Sequence, residues 1–229
     1  MSNIQFGLTG ETPCPYLEGQ SERLLVAITQ SPEENRQVYP SLIEHGFRRS
    51  GDYIYRPHCA ECQACESLKV DCSKFIPSRS QKRVSAKTKG LRFKWNGASS
   101  AQEYDLYERY IAERHRDGGM YPATLSSYQQ LLAGNGVETA ILRAFDDQQL
   151  VAVAICDVLP DGLSAVYTFF EPESIYPSLG KVMILQQIER VKQLEQAWLY
   201  LGLQVDECAK MNYKSQFRPH LRFDGHKWR

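Results

Sequence analysis

The chain has 229 residues, with 27 basic and 27 acidic side chains and so no net charge. Hydrophobic residues make up 42% of it, enough for the core of one large domain or two small ones. No run of about 18 apolar residues is present, which excludes a spanning helix, and zero net charge argues against a generic polyanion binder. The first residues, MSNIQFGLTGETPC, show no basic stretch followed by an apolar one, so no export signal is expected and the reducing cytoplasm is the expected compartment.

In chain order, LLVAIT (24–29) predicts a strand. SPEENRQVYPSLIEHGF predicts a helix interrupted by Pro40, with Leu42 and Ile43 on its second part and Gly46 as C-cap. RRSGDYIY predicts a turn and a short strand, RSQKRVSAKTKG a basic helix that stops at Gly90, and LRFKW a strand. WNGASS (95–100) has the composition of a connection, and divides an N-terminal cysteine- and arginine-containing module, 1–95, from a second domain, 96–229. There SSAQEYDLYERYIAERHRDGG predicts a helix with Tyr104, Tyr107, Ile111 and Arg114 on one face, and TLSSYQQLL a short helix capped by Thr124. VETAILRAFD, QLVAVAICDVL and LSAVYTFFE read as three strands, separated by DD and DG as antiparallel hairpins require. SLGKVMILQQIERVKQLEQ predicts a helix with Ser178 as cap and Val182, Leu185, Ile188 and Val191 as its buried stripe. AWLYLGLQV predicts a strand, CAKMNYKSQF a short helix and LRFDGHKW a final strand. This α+β order, a meander followed by a strand–helix–strand crossover, resembles the GNAT acyltransferase fold and makes acyl transfer the reaction class to test.

Five features carry candidate chemistry. RPHCAECQACESL (56–68) spaces Cys59, Cys62 and Cys65 three apart, with His58 before them and Cys14 upstream. C-x2-C brings two thiolates to one point, and Cys14 supplies a fourth, so Cys14, Cys59, Cys62 and Cys65 form a candidate set for structural zinc or an iron–sulfur cluster. His58 is an alternative ligand, and free thiols are the plain alternative to any metal. Cys72, Cys156 and Cys208 read as core residues. Second, from Ser73 to Lys94 there are eight basic residues and no acidic ones, so Arg79, Lys82, Arg83 and Lys87 can meet phosphates, or simply form a solvated face.

Third, Arg48 and Arg49 precede Ser50 and a glycine turn. On a regular element the two arginines cannot point the same way. One can hold a carboxylate bidentately, although on composition alone compensation of the preceding helix dipole is the preferred explanation. Fourth, the helix start Ser178, Leu179, Gly180, Lys181 presents free amides that favour oxygen ligands. YPSLGK has a single glycine, however, which departs from the glycine-rich pyrophosphate loop of coenzyme A-dependent GNAT enzymes. Downstream, Lys210 and Lys214 are four apart and expected on one helix face, with Asn212 and Tyr213 between them; a solvated lysine face is the plain reading.

CPYL (14–17), YPSLIEHGFRRSGDYIYRPHC (39–59), FIPSRSQKR (75–83), SLGKVMILQQIE (178–189) and YLGLQVDECAKMNYKSQFRPH (200–220) together resemble the arginyl-tRNA–protein transferase family through nearly the whole chain. The length and the C-x2-C-x2-C run resemble its short bacterial branch, the aspartate/glutamate leucyltransferases. Eukaryotic members have CGYC near the start, where this chain has Leu17 in place of the second cysteine. Cys14 and Cys62 transfer best, and Cys59 and Cys65 follow from spacing. The resemblance implies transfer of leucine from leucyl-tRNA to a protein N-terminus that begins with Asp or Glu, with no cofactor required for the chemistry. It implies Arg48, Arg49 and Ser50 at the acceptor; Ser178, Leu179, Gly180, Lys181 and Lys210 at the donor; Arg79, Lys82, Arg83 and Lys87 on the tRNA; and Tyr213, Asn212 and Lys214 at the reacting end. The alternatives are a CoA-dependent protein N-acetyltransferase, arginine as the transferred residue, and a zinc-dependent tRNA-binding module that is no enzyme.

Overall fold

The structure is a computed structural model that describes residues 4–97 and 100–229. Its elements are β1 (Gln5–Leu8), β2 (Thr12–Pro13), β3 (Ser21–Glu22), β4 (Leu24–Ile28), α1 (Pro32–Glu44), β5 (Arg48–Ser50), β6 (Tyr53–Pro57) and β7 (Glu66–Asp71). Then follow α2 (Arg79–Lys87), β8 (Arg92–Trp95), α3 (Ala101–Arg114), α4 (Leu125–Ala133), β9 (Thr139–Asp146), β10 (Gln149–Leu159), β11 (Gly162–Phe170), α5 (Leu179–Gln193), β12 (Trp198–Gln204) and β13 (His220–Phe223). A seven-stranded sheet runs β13-β7-β12-β11-β10-β9-β8, a four-stranded sheet β1-β4-β6-β5, and β2 pairs with β3.

Alternation along the strands of the large sheet assigns its two faces. Ala152, Ala154 and Cys156 of β10, Leu163 of β11, Leu199 and Leu201 of β12, and Leu68 and Val70 of β7 pack on the α5 side, against Leu179, Met183, Ile184, Ile188 and Val191. Val153, Ile155 and Phe169 face the other way, against Leu106, Tyr107 and Ile111 of α3 and Tyr128 of α4. Helix α1 lays Val38, Tyr39, Leu42 and Ile43 between the small sheet and Leu159 and Tyr200 of the large one.

Several features depart from the sequence reading, among them the strands β1, β2, β3 and β5. α1 is continuous through Pro40; the carbonyl that a proline leaves without a donor is that of Arg36, which is exposed, so water can serve it. β7, in ESLKVD, is an unpredicted central strand between β12 and β13. The expected helix in CAKMNYKSQF is a turn followed by a 3-10 segment, Asn212–Gln216. The expected module boundary at residue 95 does not coincide with a break in the sheet, because β7 and β8 both belong to the large one. Within the expected WNGASS connection, residues 98 and 99 lie outside the described residues. Cys72, Cys156 and Cys208 are buried, as core residues should be. No described helix is long and apolar enough to cross a membrane.

Candidate active site

β11 and β12 part beyond Ser164, and the gap between them is the candidate cleft. The two strands pair in parallel at Gly162↔Trp198, Leu163↔Leu199 and Ser164↔Tyr200. At that end they approach so closely that a Cβ on Gly162 would overlap the Trp198 carbonyl. Beyond Ser164, β11 runs on to Phe170 and β12 to Gln204 without pairing to each other. Each strand is bulged at this level. Val166 is the extra residue between the pairs Ala165↔Cys156 and Tyr167↔Ile155. Leu201 is the extra residue between Tyr200↔Lys69 and Gly202↔Leu68. A bulge bends and over-twists its strand, and bulges recur beside active sites because they re-aim backbone and side chains.

The β5–β6 hairpin closes one end of this cleft, and its two arginines point to opposite faces. Arg49 is 2% exposed. Its Nε donates to Asp157 Oδ1 at 3.0 Å and its Nη2 to the same oxygen at 2.6 Å, while Tyr39 donates to Oδ2 at 2.8 Å. Burial pushes the Asp157 carboxyl up, against the opposing pull of Arg49 and Tyr39. Arg49 therefore cannot take an outside carboxylate without leaving Asp157 buried and unpaired, and the expectation of Arg49 as an acceptor ligand is replaced by a structural role.

Arg48 has no such partner. It stands directly opposite Tyr55 in the hairpin ladder. Its Nε is buried without a hydrogen-bond partner, and no carboxylate of the described residues lies within ion-pair distance of it. The guanidinium rests on Gly202, whose φ is +75°, and a Cβ there would collide with it. Only glycine satisfies both conditions. Burial lowers the Arg48 pKa, but Tyr55, Tyr16, Tyr39 and Asp157 outweigh it and leave the group held above its ordinary value. Ser50 lies exposed at the hairpin tip, opposite Tyr53.

The segment after β12 brings two further groups toward Arg48. Lys214 is 7% exposed, and its Nζ donates to the Leu203 carbonyl. Burial, helped by the Arg48 charge, lowers its pKa from 10.5 to about 7. The Tyr213 hydroxyl is pushed up by burial and drawn back by Arg48. Lys210 is exposed instead, near enough to lower His115, so Lys210 and Lys214 do not share a face: the chain is not α-helical there. Asn212 is also exposed, and its Nδ2 donates to the Asp206 carbonyl, which fixes the turn rather than facing the cleft.

α5 begins beside this segment. Lys181 Nζ donates to Gln216 Oε1 at 2.9 Å. Ser178 is the N-cap residue, but at φ +58° its side chain makes no cap bond. Leu179 is buried in the core and Gly180 lies against Phe170. α2 packs next to α5, and Gln81 Nε2 reaches the Gln216 carbonyl at 3.3 Å. On the outer side of α2, Arg79, Lys82, Arg83 and Lys87 are exposed and make no ion pair with a described residue. The basic helix is thus tied to the same 3-10 segment that carries Tyr213 and Lys214.

Cys14, Cys59, Cys62 and Cys65 line one cavity of about 250 Å³, together with Glu22, Arg56, His58 and His226. Burial, then the neighbouring Cys14, Cys59 and Cys62, pushes the Cys65 thiol up to about 12, so it is neutral. Among the described residues no three His, Cys, Asp or Glu side chains are placed to hold one ion. The expected ligand set lines one cavity, but its side chains are not gathered at one centre among the described residues.

Sequence reasoning missed Gly202, Tyr16, Tyr55, Asp157 and the two bulges. A lone glycine within the strand pattern YLGLQV is the one local signal that was available, since it marks a bulge or a close approach.

A basic helix tied to the segment that carries Tyr213 and Lys214, an arginine without an ion-pair partner and a split strand pair make up the candidate site. Residues 12–83 match the family described as "Arginine-tRNA-protein transferase, N terminus", and residues 102–224 match "Arginine-tRNA-protein transferase, C terminus". The chain is 42% identical over 234 residues to a protein of Vibrio cholerae named aspartate/glutamate leucyltransferase, covering 100% of this chain and 98% of that one. A protein of the same name from Aeromonas hydrophila is 43% identical over 226 residues, covering 99% and 94%. Among solved structures, the C-terminal domain of a putative lysylphosphatidylglycerol synthetase from Agrobacterium fabrum gives a TM-score of 0.48 at 10% identity over 80% of this chain and 68% of that one. With both halves matched and two-fifths of the residues shared from end to end, this chain belongs to the arginine-tRNA-protein transferase family.

Proposed function

We propose that this chain transfers leucine from leucyl-tRNA to the α-amine of proteins that begin with Asp or Glu, creating a destabilising N-terminus. The observation that carries the acceptor half of this reading is Arg48, a half-buried guanidinium at the cleft with no carboxylate of its own. A bidentate arginine prefers Asp to Asn because an amide cannot offer the second anionic oxygen. Leucine as the donor residue is supported by the name borne by the curated relatives. It is also supported by the wall beside β11, built from Tyr110, Tyr167 and Phe170. Two carboxylates on that side, Glu103 and Glu171, are already paired with Arg143 and Arg109 and are not free for an arginyl side chain.

The chemistry asks little of the protein. The acceptor α-amine, with a reference pKa of roughly 7.7–8.0, is neutral about a tenth of the time at pH 7. It attacks the ester carbonyl, a C–N bond forms, the C–O bond to the ribose breaks, and the amine's proton ends on the ribose hydroxyl, relayed through Tyr213. No acyl-enzyme is required. Rate comes from holding amine and ester together and from backbone donors aimed at the developing oxyanion where β11 is bulged. The exposed cations of α2 neutralise phosphates of the donor tRNA.

The test is incubation with separately charged leucyl- and arginyl-tRNA and an Asp-initiated peptide, read by mass. A peptide heavier by one leucine is expected. Addition of arginine instead would reverse the donor, and acetylation from acetyl-CoA would replace the reading. An unchanged peptide mass with tRNA bound would leave a binding module.

A further inference from the structure

The unpaired Arg48 does not stand alone. Tyr55 is its direct cross-strand partner, so the two side chains leave the same face of the hairpin about 5 Å apart at Cβ. Tyr16 arrives from a different element. It sits on the loop closed by Cys14 N donating to the Gln20 carbonyl at 2.9 Å and Gln20 N to the Leu17 carbonyl at 3.3 Å. Cys14 and Leu17 of that loop face the cavity that Cys65 also lines, and this seats the half-buried Tyr16 beside the hairpin. Its phenol interacts electrostatically with both Tyr55 and Arg48. Neither the Tyr16 nor the Tyr55 hydroxyl has a hydrogen-bond partner among the described residues. Two carboxylates lie in the neighbourhood, Asp157 and, beside Tyr16, Glu22. Asp157 is saturated by Arg49 and Tyr39, and Glu22 makes no ion pair with Arg48. Burial pushes Tyr16 up to about 12, so it remains a donor across the working pH range.

We propose that the hydroxyls of Tyr16 and Tyr55 complete, with Arg48, a pocket of hydrogen-bond donors that selects the carboxylate of the acceptor's first side chain over an amide. The proposal rests on the reading of Arg48 given above and names the residues that give it selectivity. An ionised carboxylate is acceptor-only and has about four lone-pair sites, enough for a guanidinium fork and two phenols. The NH2 of Asn or Gln finds no acceptor in the guanidinium and can meet a phenol only by donating to it, so the full set of charge-assisted bonds that an ionised carboxylate receives is not made. Tyr16 belongs to the cysteine loop and Tyr55 to the arginine hairpin, so the pocket gives the N-terminal residues a direct part in acceptor recognition.

The experiment measures leucine transfer at saturating leucyl-tRNA onto Asp-, Glu-, Asn- and Gln-initiated peptides for the wild type, Tyr16→Phe, Tyr55→Phe and Arg48→Ala. Phenylalanine keeps the ring and its packing, and melting temperatures check that each variant folds. Loss of one hydrogen bond to a charged group predicts that each Tyr→Phe change lowers the Asp:Asn ratio of kcat/KM about tenfold, with the loss in peptide KM and, in a second series with leucyl-tRNA varied, none in the KM for leucyl-tRNA. A ratio within twofold of wild type in both Tyr→Phe variants overturns the proposal. If Arg48→Ala abolishes the ratio while both phenylalanines keep it, only this inference fails. If Arg48→Ala keeps it too, the acceptor reading fails with it.

Discussion

The two faces of the three-residue strand Arg48–Ser50 are a controlled experiment within one molecule. On one face Arg49 meets Asp157 and Tyr39 in a sealed, fully bonded cluster that ties the small sheet to the large one. On the other, Arg48 rests on a glycine at the mouth of a cleft and keeps its charge without a partner. The residues are neighbours of the same type, yet one spends its bonding capacity inside the fold and the other keeps it for something outside. Residue type therefore does not assign function at this strand; the supply of partners does.

The largest effect should come from the open face. Arg48→Ala should reduce kcat/KM for an Asp-initiated peptide about 100-fold, the scale for truncating one partner of a desolvated charge pair, with little change in melting temperature. Unaltered transfer kinetics would break the comparison. On the sealed face, Arg49→Ala should cost about 3–5 kcal/mol of stability in chemical denaturation, because it strands a buried carboxylate. A loss below about 1 kcal/mol would show that Asp157 finds water or takes a proton cheaply.

A smaller effect sharpens the electrostatics around Arg48. With its pKa lowered from 10.5 to about 7, Lys214 binds fewer protons in the folded than in the unfolded chain between those values, so its contribution to stability improves as pH rises through that window. Lys214→Met removes this dependence. Measured against wild type, the variant should lose about 2 kcal/mol of relative stability between pH 6 and pH 9. A difference that does not vary with pH would mean that Lys214 is solvated. The smallest effect lies furthest from the hairpin. Lys82→Glu or Arg83→Glu should weaken leucyl-tRNA binding and make its salt dependence shallower, by about one unit of log–log slope for each phosphate no longer neutralised, with the Asp:Asn preference intact.

Where one side chain pattern governs an element, the sequence reveals it. The meander β9–β11 and helix α5 follow from period-two and period-3.6 apolar patterns whose partners lie close by. ESLKVD escapes the same logic because Ser67 and Lys69 are buried polar residues. Lys69 is sheltered by Glu44 at 2.8 Å and lies 4.5 Å from the rings of both Trp198 and Trp228. A strand that hides its lysine under aromatic rings reads as polar until its partners are known. The two arginines show the same limit. Their opposition was readable, but the carboxylate that claims Arg49 lies 108 residues away. Likewise Lys210 and Lys214 suggest one helix face, whereas the turn buries the second and exposes the first. The four cysteines proposed as a ligand set line one cavity, but spacing alone could not say whether they meet at one centre.

The most direct test of the account is the Asp:Asn ratio of kcat/KM for leucine transfer, measured for the wild type and for Arg48→Ala under identical saturation with leucyl-tRNA. A wild-type preference for Asp that collapses toward unity in the variant is the predicted result. A preference that survives the loss of Arg48 would place recognition of the acidic terminus elsewhere in the molecule and contradict the role assigned to that arginine.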